Sequence, residues 1–105
     1  MKNIGINYGV DISRLNREIR RALGVCKSIY DRHGSDLFVT STFEGNHGAG
    51  SLHYSHDAFD IARAPENNYQ ITLEIQRKLG VKYDVVAETT HNHIEYDPKT
   101  ATQRE

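Results

Sequence analysis

Six apolar residues, Ile12, Leu15, Ile19, Leu23, Cys26 and Tyr30, follow one another in steps of three and four. Such steps average to the 3.6-residue turn of an α-helix, so the six share one stripe, and the segment is an amphipathic helix that must bury it. Asp11 or Ser13 is placed to cap its start, and Gly34, after His33, to end it. Gly24 interrupts the pattern at a cost of about 1 kcal/mol relative to alanine. The periodicity runs on through it, which favours one long helix over two pieces.

What the stripe can pack against is limited by size. A chain of 105 residues builds one small domain, since a second would fall below the size at which a core forms unaided. Leu37 to Thr40 is a short β-prone run that passes into Glu44-Gly45-Asn46-His47-Gly48-Ala49-Gly50, too glycine-rich for regular structure. Ser51 to Ile61 mixes aromatic, small and acidic residues and supplies a further strand. Pro65 and Glu66 then open a second helix carrying Ile71, Ile75 and Leu79, with Arg77 and Lys78 in its last turn and Gly80 as its stop. Tyr83 to Ala87 and His91 to Tyr96 read as two strands, the second stopped by Pro98. The order predicts an α+β domain over residues 1–98, a small, mostly antiparallel sheet backed by two helices. Residues 99–105 form a polar tail expected to be flexible.

Charge and hydropathy remove several classes of function. Thirteen Lys and Arg against fourteen Asp and Glu leave a formal charge of −1 without long blocks of one sign, which argues against nucleic acid as a partner. No apolar run approaches the ~20 residues of a membrane span, and the start MKNIGINYGVD lacks the apolar stretch of a signal peptide. Synthesis in the cytoplasm without a leader is the expectation. The single cysteine, Cys26, excludes an internal disulfide and a thiolate-built zinc site.

Six histidines remain, four of them in two tight groups, Ser51-Leu52-His53-Tyr54-Ser55-His56-Asp57-Ala58-Phe59-Asp60-Ile61 and Glu88-Thr89-Thr90-His91-Asn92-His93-Ile94-Glu95-Tyr96. On a strand, His91, His93 and Glu95 share one face and Ile94 and Tyr96 the other, so the histidine face is not the apolar one. A hydrolytic zinc ion takes three protein ligands and an open position, and two histidines with one carboxylate are an established set. His53, Asp60 and either His91 or His93 would supply it, leaving the other histidine and Glu88 near the metal to handle protons. By spacing alone these are weak signals.

The run SLHYSHDAFDI resembles the first zinc motif of D-Ala-D-Ala carboxypeptidases, VanY-like peptidases and the Hedgehog signalling domain, S-x-H-x-x-G-x-A-x-D followed by an apolar residue. Ser51, His53, Ala58, Asp60 and Ile61 fit it. ETTHNHIEYDP is similar to their second motif, H-x-H or E-x-x-H on a strand, and Val39-Thr40-Ser41 to the strand end before the first. The resemblance covers roughly residues 12 to 98, and short phage and bacterial members look closest. It implies a Hedgehog/DD-peptidase-like fold and zinc held by His53, Asp60 and a histidine of the second motif. In H-x-H members the later histidine is the ligand, which selects His93 and leaves His91 to assist. In E-x-x-H members the glutamate is the base, which selects His91 with Glu88. The context on both sides of the pair favours His93, with Glu88 and His91 as catalytic candidates. Two departures stand out: His56 occupies the motif's glycine position, and no arginine lies between Ser41 and His53 to hold a terminal carboxylate. His47 is the nearest polar candidate for substrate in that loop, and the Ser41 hydroxyl is a second.

The function so implied is zinc-dependent hydrolysis of peptidoglycan peptides, by carboxypeptidase or endopeptidase action. The alternative is a zinc-stabilised binding module without turnover, as in the Hedgehog domain. A third reading, histidines that merely buffer metal, predicts loose and substoichiometric zinc. Without a leader, a wall enzyme reaches its substrate through a separate pore at lysis, by carriage in a virion, or by acting on cytoplasmic precursors.

Overall fold

The computed structural model describes residues 4–6, 12, 15–43 and 57–97. The elements run β1 (Ile4–Ile6), α1 (Arg17–Arg32), β2 (Leu37–Phe43), β3 (Asp57–Ala62), α2 (Asn68–Leu79), β4 (Tyr83–Ala87) and β5 (His91–Tyr96). The five strands form one sheet in the order β1-β2-β3-β5-β4, with β1 parallel to β2 and every other pair antiparallel. β5 therefore lies between β3 and β4, which α2 joins. The fold is α+β, a mostly antiparallel sheet with both helices packed on one face. No helix of the described residues is long and apolar enough to cross a membrane.

The long helix is one piece, and it starts later than the stripe suggests. The Asn16 side chain accepts a hydrogen bond from the Ile19 N–H at 3.1 Å, a cap that fixes the first turn at Arg17. Ile12 and Leu15 precede the helix, and Asp11 and Ser13 fall outside the described residues. At the other end Gly34 has φ of 72°, which lets the Ser35 N–H turn back to the Tyr30 carbonyl at 2.9 Å. The second helix begins at Asn68, not at Pro65: Asn67 is left-handed, with φ of 60°, and the buried Asn68 side chain accepts from the Ala64 N–H. Two further differences concern strands. β1 was not expected, being only three residues long, and β2 runs three residues past Thr40. Gly5 of β1 lies opposite Phe38, and a Cβ on it would stand 2.1 Å from the Phe38 ring, so any larger residue here would have to displace that half-exposed ring.

The stripe residues Ile19, Leu23, Cys26 and Tyr30 meet Leu37, Val39, Phe59, Ile61 and Ile94 of the sheet and Ile71, Ile75 and Leu79 of α2 in one core. Burial pushes the Cys26 thiol pKa up, so it packs as a small hydrophobe. One polar network interrupts this core. The fully buried Asn92 amide pairs head to head with Asn68, at 2.9 and 2.8 Å, and donates to the Tyr30 hydroxyl at 2.8 Å. Tyr30 in turn donates to the Ala62 carbonyl. Burial, partly offset by the Asn92 hydrogen bond, holds the Tyr30 phenol up at about 12, so it stays a donor.

Replacing Asn92 by leucine strands the Asn68 amide and removes a partner from Tyr30; the expected loss is about 1–3 kcal/mol in denaturant unfolding. Gly24, inside α1 with nothing within 4 Å of the place its Cβ would take, gives the opposite expectation. Gly24→Ala should stabilise the chain by about 1 kcal/mol, read in the same experiment.

Candidate metal centre

The two histidines of β5 lie on the face of the sheet away from the helices. Strand alternation sends Asn92 and Ile94 into the core, both fully buried, and leaves His91, His93 and Glu95 on the open face. The ladder between β3 and β5 pairs Asp60 with His93 and Ala62 with His91. Asp60 and the two histidines thus come from strands adjacent in the sheet and distant in sequence.

The second strand reaches the same face through a bulge. Val39 pairs with Ile61 on the core side, but Ser41 pairs with Asp60, so the register shifts by one residue between them. An unbroken strand would put Ser41 and Phe43 on the same face as Val39; the extra residue turns them to the open face. Ser41 then stands beside Asp60, and the Phe43 ring centroid lies 5.8 Å from that of His93. Ala58, the partner of Phe43 on β3, has only a methyl group to obstruct that reach.

Asp60 is 8 % exposed. Its Oδ1 is 2.6 Å from His93 Nδ1 and its Oδ2 is 3.6 Å from His91 Nε2. The other ring nitrogen of His93 lies 3.1 Å from Glu95 Oε1, and His91 Nδ1 lies 3.0 Å from Thr90 Oγ1. An imidazole with a carboxylate at each nitrogen can donate to both only as the cation. Burial by itself would lower the His93 pKa, yet the hydrogen bonds and charges of Asp60 and Glu95 outweigh it and hold it above 6.5.

Of the other residues expected at the site, Glu88 sits exposed in the turn before β5, its N–H bonded to the His91 carbonyl at 2.8 Å. Arg63, at the end of β3, donates from Nη1 to the Glu88 carbonyl at 2.6 Å and ties that turn to the sheet. The Glu88 carboxylate has no partner among the described residues. His53 and His47 lie outside the described residues, as do Ser51 and His56. The structure therefore brings together Asp60, His91, His93 and Ser41, with Glu88 at the end of the same hairpin.

Asp60, its carboxylate mostly withdrawn from water, meets each of the two imidazoles singly, donor types that zinc takes, but among the described residues these three do not converge within 4.8 Å of one another. Asp60 and His93 are the residues that would hold the ion, and the proton between them is the one it would displace. A second group, unforeseen from the sequence, lies further along the open face. Asp84, Glu95 and Asp97 bring carboxylate oxygens within 4.8 Å of one another, an all-oxygen set of the kind hard cations take. Only the β4–β5 register, which pairs Asp84 with Glu95, brings these acids side by side. Scans against family models, curated proteins and solved structures return no match for this chain.

Because the native pKa of His93 is raised, protonation of this group stabilises the metal-free fold. That increment is complete below the unfolded value near 6.5 and disappears as pH rises through the elevated native value. Melting of chelator-treated protein between about pH 5 and 9 should show this decline, and Asp60→Asn should flatten it.

Proposed function

We propose that the chain is a zinc-dependent peptidase acting on peptidoglycan peptides, with Asp60, His93 and His53 as metal ligands and Glu88 and His91 as catalytic groups. The observation that supports it most is the meeting of Asp60 with His93 and His91 across two strands, since these residues come from the two separate motifs that carry the resemblance to zinc peptidases. Zinc, when bound, supplies Lewis acidity towards a peptide carbonyl and towards water.

The remaining work falls to the chain's own groups. Asp60, buried and paired with a strand on each side, presents its carboxylate at a fixed place beside His93 Nδ1, so the two donors would meet the ion together. Glu88, exposed on its turn, accepts a proton and returns it to the departing amine. His91, steered by Thr90 at Nδ1, presents Nε2 to the site and donates a hydrogen bond to the oxygen that gains charge. Ser41, one strand over, has its hydroxyl on the face where substrate would lie.

Elemental analysis after dialysis should give one zinc per chain, and Asp60→Ala or His93→Ala should release it. Incubation with purified peptidoglycan should release peptides or D-alanine detectable by mass spectrometry. Glu88→Gln and His91→Ala should keep their zinc and lose about a hundredfold or more in rate. Stoichiometric zinc with no release of either product would instead assign a zinc-stabilised binding module.

A further inference from the structure

The two helices carry a charge balance unlike the rest of the chain. α1 and α2 together contain seven Lys or Arg and three Asp or Glu, whereas all other residues contain six and eleven. The near-neutral whole thus divides into a helical layer of net +4 and a remainder of net −5. A groove runs between the helices on their outer side, lined by Arg21, Gly24, Val25 and Ser28 of α1 and Arg77 and Lys78 of α2. Arg21, Arg77 and Lys78 have no acidic partner among the described residues. Glu74 is the one acid in the groove, and it is engaged by Arg32 and His33.

The floor is open where it could have been filled. Gly24 is exposed in the middle of a helix, needs no positive φ, and has nothing within 4 Å of its would-be Cβ. The fold itself gains nothing from a residue that weakens its own helix. A glycine there does expose the backbone to a close neighbour. Leu73 and Tyr69, 41 % and 69 % exposed, sit one and two turns before Arg77 on a single stripe of α2.

We propose that this groove docks an amphipathic helix of a protein partner, with small apolar residues over Gly24 and Val25 and acidic residues facing Arg21, Arg77 and Lys78. Charge complementarity sets the sign of the occupant, and the open glycine next to Val25 sets its shape. A phosphate-rich polymer would use the cations and leave Tyr69, Leu73 and the glycine floor unexplained. The groove is on the helical side and the candidate metal centre on the opposite face of the sheet, so a docked helix leaves that centre open.

The test uses the full chain and three probes. One is an 18-residue peptide with alanine and leucine on one helical face and glutamate along its flanks. The others are the same peptide with lysine for glutamate, and polyphosphate. Backbone amide NMR should show the glutamate peptide shifting residues 21–32 and 69–78, with affinity at least about tenfold above the lysine peptide. Gly24→Leu, which fills the floor, and the double change Arg77→Gln, Lys78→Gln should each weaken binding about tenfold or more without unfolding the chain. Absence of shifts overturns the proposal. So does polyphosphate binding more tightly than the glutamate peptide with Gly24→Leu making no difference, which would mark a polyanion site.

Discussion

The arrangement depends most on Asn92, a polar side chain with no exposure to water, placed between the two histidines of β5. Its amide is satisfied only when Asn68 at the head of α2 and the Tyr30 hydroxyl at the foot of α1 are both in place. An unmet amide in a core is costly, whereas an aliphatic side chain tolerates many positions. Asn92 therefore fixes register where Ile94 alone would only favour it. A slip of β5 by one residue would bury His91 and His93 and expose Asn92, so the network that locks both helices to the strand also decides which way the imidazoles point.

Asp60 is held by a different logic. It lies on β3, hydrogen-bonded by strands on both sides, with core residues Phe59 and Ile61 as its chain neighbours. Its carboxylate is nearly withdrawn from water, and its partners among the described residues are imidazoles, not arginine or lysine. A buried carboxylate favours any cation it can reach, and protons on the neighbouring rings meet that need in the metal-free chain. The same preference would favour a divalent ion at this place.

Much of this was legible before any coordinates. The stripe through Tyr30, the repeat through Leu79, and the strands β4 and β5 follow from periodicity and composition, because local rules set them. The sharing of one face by His91, His93 and Glu95 follows from alternation alone. Where the reading failed, longer-range effects had intervened. β1 is three residues long and exists because β2 offers it an edge, and Gly5 lets it lie under Phe38. Asn67 and Asn68 displace the start of α2 because one adopts a left-handed backbone and the other turns its amide inward. The bulge of β2 has no residue signature, so Phe43 beside His93 could not be foreseen. Asn92, given no role from sequence, acquires one only when α1 and α2 are packed against it.

The position of β5 has a consequence for how the chain is made. β3 and β4 are completed first, yet each lacks its neighbour, because the strand that pairs with both is the last of the described elements to be synthesised. Until residues 91–96 emerge from the ribosome, neither His91 nor His93 faces Asp60 and the nascent sheet has a gap one strand wide. The centre is therefore assembled by the closing step of folding, and a product cut short before that strand keeps Asp60 but lacks both His91 and His93.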